Sequence, residues 1–293
     1  VCSENTIIVI ESTISPGTID RDIRPLTAKT AKKINLVHAP ERIIPGNMIY
    51  ELIHNSRTIG CDDKSVGELV KLVYCSFCQG EIVVTDIKTA EMSKVVENTF
   101  RDINIAYANE LAKICRQNDM DVYEVIKHPR VNILQPGPGV GGHCISVDPW
   151  FLVGDFPETA QLIRQAREVN SGMPEFVLQR IQEIMDEKNI SDLARVGLYG
   201  LTYKEDVDDV RESPTLQLLD VIKRKNLPDP AVFDPMVTHN LVERQYMDFE
   251  SFLSDIDMVV VLVGHSHLKN DISKLNGKAV LDTRNIVLQA YKL

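Results

Sequence analysis

Cys144 follows a loop rich in glycine and proline, Gln135-Pro-Gly-Pro-Gly-Val-Gly-Gly-His-Cys144. Glycine lets the backbone approach a ligand closely, and N–H groups beside the cysteine can stabilise a thiolate or an oxyanion. Asp148 lies four residues further along, before Pro149, where it could orient a water molecule or a lysine. The spacing alone predicts either a nucleophilic thiol or a small buried thiol packed against Ile145.

A second polar group lies on a segment without glycine or proline, between about residues 88 and 116, which is predicted to form one long helix. Glu91, Lys94, Asn98 and Arg101 recur there at steps of three, four and three, so they share one helix face. Such a face is usually solvated. The alternative is a face directed into a cleft, where a desolvated lysine can transfer protons and an asparagine can support an oxyanion.

A third group combines Tyr203 and Lys204 with the segment Arg211-Glu212-Ser213-Pro214, after a predicted strand and at the start of a predicted helix. Helix N-termini with nearby cations bind phosphate groups in doubly wound folds. The turn Gly197-x-x-Gly200 is an incomplete dinucleotide fingerprint and suits a nucleotide diphosphate equally well.

Two further motifs match known patterns only formally. Gly137, Gly139 and Gly142 fit G-x-G-x-x-G, but no predicted strand precedes them and no clear helix follows. Cys75 and Cys78 form one C-x-x-C pair without a second pair at zinc spacing, which argues against a metal or redox site. No metal site is predicted.

The elements that must position these groups alternate between two patterns. Short β-branched strands alternate with amphipathic helices over residues 1–85 and again from Arg195 onward, which indicates α/β units with parallel sheets. Between them lie the long helix and a helical segment at 158–187 with a possible break at Gly172 and Pro174. We predict a fold of the α/β class. It has a partial N-terminal doubly wound domain at 1–86, a central all-α domain at 87–174 and a C-terminal doubly wound domain at 175–293.

Charge and composition limit the possible partners. The 293 residues carry 42 acids against 32 Lys and Arg, a formal charge of -10, which argues against nucleic acid or an anionic membrane as the main partner. The longest apolar runs are far shorter than the ~20 residues of a membrane span, so we expect a cytoplasmic protein. Its six cysteines are scattered, and reduced thiols are expected.

Five motifs, in order and spacing, resemble the family of UDP-glucose and UDP-N-acetylmannosamine dehydrogenases across nearly the whole chain. They are EST-x-x-PGT at Glu11–Thr18, PER at Pro40–Arg42, E-x-x-K-x-x-x-N at Glu91–Asn98, GPGVGGHCISVDPWF at Gly137–Phe151, and GLTYK followed by RESP. His143 and Asp148-Pro149-Trp150 are more similar to the N-acetylmannosamine branch than to the UDP-glucose branch, whose loop more often reads GFGGSC-x-x-KD.

The resemblance implies a catalytic role for five residues. Cys144 would be the nucleophile, Lys94 a general acid or base, and Asn98 a support for the reacting oxygen. Glu41 would also belong to the catalytic group, and Asp148 would position the catalytic water.

The resemblance also implies binding residues. Thr13 and Arg211 would contact the cofactor, NAD. Substrate contacts are implied for Arg42, Ile43, Arg101, His128, Arg130, Gly139, Gly141, Tyr203 and Lys204. Among these, His128 and Arg130 would reach the sugar site of a neighbouring subunit.

One part of the family pattern is not found in this sequence. The family begins with a strand and a Gly-rich pyrophosphate loop, and no such segment precedes Val1. With roughly the first hundred residues of the pattern missing, the helix N-terminus that binds pyrophosphate is also missing. We therefore expect the intact protein to use NAD and the present chain to bind it poorly.

The expected function is NAD-dependent oxidation of a UDP-N-acetylhexosamine at C6 to the uronic acid, through a thioester on Cys144, for polysaccharide or glycan precursor synthesis. UDP-N-acetyl-D-mannosamine is the favoured substrate. Three alternatives stay open: a UDP-glucose 6-dehydrogenase, a 6-phosphogluconate-like dehydrogenase, which the second α/β domain disfavours, and a UDP-sugar-binding or dimerisation module without turnover. The family also implies a homodimer through the central helices, although a helix buried within one chain has the same periodicity.

Overall fold

The computed structural model describes residues 2–43, 46–127 and 130–293. It divides into two compact units. The first consists of the residues up to Phe100 together with Asp148–Ala160, and the second of Arg101–Val147 together with Gln161–Leu293.

Among its described residues, the first unit contains a four-stranded sheet. Its strands are β1 (Thr6–Ile10), β2 (Ile34–His38), β3 (Arg57–Cys61) and β4 (Ile82–Thr85), in the order β1-β2-β3-β4. The helical segments are a wide turn at Ile19–Ile23 that continues into α1 (Arg24–Thr27), then α2 (Met48–His54), α3 (Lys64–Tyr74), the first part of α4 (Ile87–Gln117), and α6 (Asp148–Asp155). These elements follow the predicted α/β alternation.

One strand pair of this sheet departs from the predicted parallel arrangement. β1 and β2 are parallel, as are β3 and β4, but β2 and β3 are antiparallel, with Val37 opposite Cys61 and His38 opposite Gly60. Antiparallel neighbours need no crossover connection, so residues 39–56, whose described part includes the short α2, suffice to join them. The sheet is therefore mixed.

Local sequence explains where the helices begin. Asp63 caps α3 because its carboxylate accepts the backbone N–H of Ser65 at 2.9 Å. Apolar side chains of α3, with Val70 and Tyr74 among them, pack on Val37 and Ile59 of the sheet. This core fixes the carboxyl ends of β1 and β2, where the EST and PER motifs lie.

In the part of the chain that the structure describes, the second unit contains the rest of α4 and a five-stranded sheet. Its helices are α5 (Val122–Val125), α7 (Gln161–Ser171), α8 (Met173–Lys188), α9 (Pro214–Arg224), α10 (Phe249–Ser254) and α11 (Ser266–Lys269), with single 3-10 turns at Leu193–Arg195 and Ile272–Leu275. Its strands are β5 (Val196–Tyr199), β6 (Ala231–Phe233), β7 (Gln245–Tyr246), β8 (Met258–Val261) and β9 (Ala279–Asp282). The strand order is β7-β6-β5-β8-β9, and every pair is parallel.

Both faces of this sheet are covered, as expected for a doubly wound fold. Leu198 and Val260 point to the side of α8 and α9, whereas Tyr199 and Val261 point to the side of α10. Ser213 caps α9 by accepting the N–H of Thr215 at 3.2 Å, with Pro214 at the first helical position. The RESP motif is therefore the start of a helix, as predicted.

The predicted fold class is confirmed, including the long helix and the break between α7 and α8 at Gly172. The division into domains at 1–86, 87–174 and 175–293 stays a prediction. Among the described residues, none of the helices combines the length and apolar character that a bilayer span requires.

Candidate active site

The polar face of α4 is buried at three of its four positions. Glu91 has no exposed surface, and Lys94 and Asn98 are 7% and 8% exposed, whereas Arg101 is exposed. The Glu91 carboxylate accepts the backbone N–H groups of Gly17 (2.5 Å) and Ile19 (2.9 Å). The usual interpretation of such a pattern, a solvated helix face, is therefore wrong for these three residues.

Glu91 explains why the PGT motif lies beside the helix. Gly17 has a φ of +86°, a left-handed conformation that favours glycine, and it leads into the helical segment that begins at Ile19. The first N–H groups of a helix lack partners within it, and a carboxylate at that end is favoured by the helix dipole. Glu91 supplies this acceptor from α4.

Asn98 and Asp148 form a buried pair within the first unit. The Asn98 Nδ2 atom donates to the Asp148 Oδ2 atom at 2.5 Å. Asp148 is the first residue of α6, where a carboxylate is favoured by the helix dipole, and Pro149 follows at a position that needs no N–H partner. The pair fixes the asparagine amide, whose second N–H can donate to another group.

The PER motif forms ion pairs at the carboxyl end of β2. Glu41 Oε2 lies 3.0 Å from the guanidinium of Arg57, and its Oε1 accepts the backbone N–H of Arg42 at 2.7 Å. Arg42 Nε lies 3.2 Å from Glu97 Oε2. The Arg57 guanidinium is buried and lies 4.8 Å from the ring centre of Tyr74, a cation–π contact.

The remaining predicted residues of the first unit are Thr13 and Ile43. Thr13 is half-buried just beyond β1, and Ile43 is half-buried beside Arg42. The sequence did not indicate Arg57, although an arginine at the first position of a buried strand is a signal for a paired charge.

The glycine-rich loop before Cys144 is irregular, and its backbone is held at several points within the second unit. Gly142 N–H donates to the Arg211 carbonyl at 2.9 Å, and the Ser146 hydroxyl donates to the Gly142 carbonyl. Val147 N–H donates to the Cys144 carbonyl at 3.1 Å. Cys144, a half-buried thiol outside any disulfide, lies within this tight turn, and its role as a nucleophile or as a packing thiol stays a prediction.

Gly141 shows why this loop needs glycine. A Cβ atom at position 141 would lie 2.6 Å from the Tyr203 Cβ and 2.8 Å from the Glu212 carbonyl oxygen. Real Cβ atoms do not approach other atoms so closely. The Cys144 loop, the GLTYK segment and the RESP segment are therefore packed together, an arrangement that the separate motifs did not predict.

Asp209 forms an ion pair with Arg211, the arginine whose charge lies near Cys144. The Arg211 guanidinium is bidentate on Asp209, with Nε to Oδ1 at 2.9 Å and Nη2 to Oδ2 at 2.6 Å, and it is exposed. This contact holds the pKa of Asp209 below its usual value. Burial raises the pKa of Tyr203, and the Asp209 carboxylate adds to the effect.

A chain of buried amide and carboxylate groups anchors the start of the loop. Gly137 N–H donates to Asn109 Oδ1 at 2.9 Å, and Asn109 Nδ2 donates to Asn170 Oδ1 at 2.8 Å. Asn170 Nδ2 donates to Asp102 Oδ1 at 2.8 Å, and Arg167 Nη1 reaches the same oxygen at 2.6 Å. All four side chains are buried, so the Gly137 N–H near the start of the loop is fixed to the helices α4 and α7.

Comparison with known proteins decides the family. Sequence models of the UDP-glucose/GDP-mannose dehydrogenase family match the chain in three parts: the NAD binding domain at 1–78, the central domain at 88–172 and the UDP binding domain at 197–289. The chain belongs to the UDP-glucose/GDP-mannose dehydrogenase family. The predicted family is confirmed, and so are the NAD-binding and UDP-binding regions that the resemblance implied.

Three relatives illustrate the similarity to this dehydrogenase family. The UDP-N-acetyl-D-mannosamine dehydrogenase of Methanococcus aeolicus is 42% identical over 294 residues, which cover 96% of this chain and 66% of that protein. The NDP-N-acetyl-D-galactosaminuronic acid dehydrogenase of Ralstonia nicotianae is 39% identical, with 98% and 71% covered. The solved UDP-N-acetyl-mannosamine dehydrogenase of S. aureus is 42% identical with a TM-score of 0.84, with 97% and 69% covered. The chain thus spans about two thirds of the length of these dehydrogenases.

The predicted site residues of this family member fall into two sets. One set lies in the first unit: Thr13, Glu41, Arg42, Ile43, Lys94, Asn98 and Asp148. The other lies in the second unit: Arg101, Arg130, Gly139, Gly141, Cys144, Tyr203, Lys204 and Arg211. Arg130 is exposed after α5, and His128 lies outside the described residues.

Arg284 in the UDP binding domain was not predicted. A Cβ atom at Gly137 would lie 2.9 Å from its Nη1 atom, so its guanidinium touches the start of the Cys144 loop. Burial lowers the pKa of Arg284, and Tyr123, Glu205 and Asp282 oppose that effect. It follows β9 at the carboxyl edge of the sheet, the edge that binds nucleotides in doubly wound domains, and this position is the signal that sequence reasoning missed.

Proposed function

We propose that the complete protein oxidises C6 of a UDP-N-acetylhexosamine, UDP-N-acetyl-D-mannosamine above all, to the carboxylate in two NAD-dependent steps. The observation that carries this proposal is the packing of the Cys144 loop on the Tyr203-Lys204 segment of the UDP binding domain, with Gly141 in contact with both Tyr203 and Glu212. This packing brings a thiol to the same place as candidate contacts for the nucleotide.

Each step of the proposed reaction uses a different side chain of this protein. Lys94 takes the proton of the C6 hydroxyl as C6 gives up a hydride, which leaves an aldehyde. The Cys144 sulfur, as a thiolate, then adds to the aldehyde carbon, and the oxygen takes up a proton to give a thiohemiacetal. Asn98, held by Asp148, donates an N–H to the oxygen that becomes negative. Oxidation of the thiohemiacetal gives a thioester. Water oriented by Asp148 cleaves this thioester, which releases the carboxylate and restores the thiol.

The residues at the carboxyl ends of β1 and β2 fit a nicotinamide nucleotide. These strands are parallel neighbours, and such edges bind nucleotides in doubly wound sheets. NAD, when bound, accepts one hydride in each oxidation. Thr13, half-buried beyond β1, would hold the nicotinamide group, and the exposed guanidinium of Arg211 is a further proposed cofactor contact.

The proposed substrate contacts are those that the family resemblance implies. Arg42, Ile43, Lys204 and Tyr203 would bind the UDP-sugar, with Gly139 and Gly141 allowing its close approach to the loop. Arg101, His128 and Arg130 would complete a sugar site, the last two from a neighbouring subunit. The relatives are named for N-acetylated sugars, which supports the choice of an N-acetylated substrate. His143 and Asp148-Pro149-Trp150 in the loop support the same choice.

The first test is turnover by the complete protein. With UDP-N-acetyl-D-mannosamine and NAD, absorbance of the reduced cofactor should rise by two equivalents for each sugar consumed. UDP-glucose is measured in parallel, and turnover of UDP-glucose alone would refute the choice of substrate but keep the reaction. Cys144→Ser should stop uronate release, whereas release at the normal rate would show that Cys144 is not the nucleophile. Binding of UDP-sugar without turnover would favour the non-catalytic alternative.

We also propose a homodimer that forms through α4. Val96, Phe100, Tyr107 and Ile114 are exposed on this helix at steps of four, seven and seven, which places them along one side. An exposed apolar stripe of this kind is typical of a helix that pairs with another helix. Sedimentation equilibrium should give a dimer for the complete protein and a shift toward monomer for Tyr107→Glu. An unchanged mass would refute this interface.

The cytoplasmic location stays a prediction.

A further inference from the structure

The loop that carries Tyr203 and Lys204 is held at its start by a buried carboxylate. Asp234 follows β6, and its Oδ2 atom accepts the backbone N–H groups of Leu201 at 2.5 Å and of Thr202 at 2.9 Å. The Thr202 hydroxyl in turn donates to the Lys204 carbonyl at 2.9 Å. The two residues before the Tyr203-Lys204 pair are therefore fixed to the strand beside their own.

The same loop is held at its far end by a buried histidine. His265 precedes α11, and its Nδ1 atom accepts the backbone N–H of Asp206 at 3.0 Å. Because Nδ1 accepts this bond, it carries no proton, and the neutral ring has its proton on Nε2. The Nε2 atom lies 3.1 Å from Asp234 Oδ2, so the two buried side chains are also bonded to each other.

Burial gives this arrangement its stiffness. Asp234 is 3% exposed and His265 is not exposed at all. Hydrogen bonds in a dry interior are strong, and a group that loses its partner there is costly. The backbone from residue 201 to residue 206 thus has a defined path before any ligand arrives, with Tyr203 and Lys204 between the two attachment points.

We propose that Asp234 and His265 are positioning residues that set the Leu201–Asp206 backbone and thereby place Tyr203 and Lys204 for the UDP-sugar. The inference rests on the proposed function, in which Tyr203 and Lys204 are substrate contacts. A loop ordered in advance spares the ligand the entropy of ordering it, so the effect of the pair is expressed in affinity.

The test uses two variants, each of which retains one of the two hydrogen-bonding groups of the His265 ring. His265→Asn retains an acceptor near the Nδ1 position, and His265→Gln retains a donor near the Nε2 position. Each should weaken binding of UDP to the complete protein, measured by calorimetry, by about tenfold, the equivalent of one lost buried hydrogen bond. Tyr246→Phe, which removes a hydrogen bond to Asp255 in the same unit, should leave the affinity unchanged.

A double-mutant cycle separates positioning from a general structural role. If His265 acts through Lys204, then His265→Asn should cost no more than about threefold in a Lys204→Met background. Fully additive losses would show that the two side chains act independently, which overturns the positioning role.

Two further outcomes distinguish this inference from the proposed function. If Lys204→Met leaves the affinity for UDP unchanged, the substrate contact is wrong and the inference falls with it. If Lys204→Met weakens UDP binding but both His265 variants do not, only the positioning role is wrong.

A surface variant covers the case in which the buried variants do not fold. The Asp206 carboxylate accepts the N–H and the hydroxyl of Ser266 at 2.9 and 2.6 Å, and both residues are exposed. Ser266→Ala should weaken UDP binding by about threefold, in line with one exposed hydrogen bond. Unchanged affinity in a folded Ser266→Ala protein would count against the proposal.

Discussion

His38 makes the stability of the first unit depend on pH. It is the last residue of β2, it is fully buried, and neither ring nitrogen has a hydrogen-bond partner among the described residues. Burial lowers the pKa of His38 from 6.5 to about 4 because a charged ring would lose its hydration, and the nearby backbone of Ile10 offsets only part of this effect. We predict that the unit loses stability as the pH falls from 6.5 toward 4, and that His38→Leu removes this loss.

The size of the effect follows from the two pKa values. The folded pKa is the lower one, so the unfolded chain binds the proton more tightly. The contribution of neutral His38 is complete above pH 6.5 and is lost as the pH falls through the folded value. A difference of about 2.5 pKa units corresponds to roughly 3 kcal/mol of unfolding free energy. At pH 7, His38→Leu should change the unfolding free energy by less than about 1.5 kcal/mol, because the site stays filled.

The assay is urea unfolding followed by circular dichroism at several pH values between 4 and 7. Other acids titrate in this range too, so the informative quantity is the difference between the wild type and the variant at each pH. His54→Leu is the matched control, since His54 is exposed in the same unit. An equal fall of the unfolding free energy with pH in the wild type and in His38→Leu would refute the reasoning.

Three other perturbations test the site itself. Gly141→Ala should lower the unfolding free energy by about 1–3 kcal/mol in thermal or urea melts because its Cβ would overlap Tyr203. Gly154→Ala, where no atom lies within 4 Å of the added Cβ, should not lower it. Asn109→Leu should change the rate at which iodoacetamide alkylates Cys144, followed by peptide mass spectrometry, because Gly137 loses its acceptor. Asn118→Leu, at an exposed position just beyond the end of the same helix, should not change it, and equal rates in all three proteins would contradict the anchor. Lys94→Met should lower kcat by at least about a hundredfold with the Kd of UDP nearly unchanged, and an equal loss in both would point to a binding role instead.

The sequence predicts the helices well where periodicity and breakers agree. The long helix was expected at about 88 to 116 and is found at Ile87–Gln117, because no glycine or proline interrupts its pattern. The antiparallel direction of β3 was not predicted. The direction of β3 depends on the path of the connection from β2. The apolar pattern of a short buried strand is the same for a parallel and for an antiparallel neighbour.

The polar face of α4 shows what a pattern leaves open. Periodicity correctly groups Glu91, Lys94 and Asn98, but the same residues would suit a solvated face. Their burial depends on partners far along the chain, such as the N–H groups of Gly17 and Ile19 for Glu91. Polar side chains become buried only where such partners exist, and only the folded structure brings them together.

The anchors of the Cys144 loop were missed for a related reason. Motifs identified the glycines, but the groups that hold them are Asn109 on α4 and a backbone carbonyl at Arg211. An asparagine in the middle of a helix gives no sequence signal for a bond to a loop glycine. Contacts between a side chain and a distant backbone group can be found only by structure.

The contact at Gly141 has an evolutionary consequence. A methyl group there would meet Tyr203, Glu212 and Pro214 at 2.6–2.9 Å. The loop at Gly141 therefore shares one small volume with two segments that lie more than sixty residues further along the chain. A larger side chain in one of these segments fits only if the facing residues in the other segments also change. As lineages of this family diverge toward new sugars, we expect position 141 to change only together with the GLTYK and RESP segments, so that the loop and the UDP binding domain are inherited as one block.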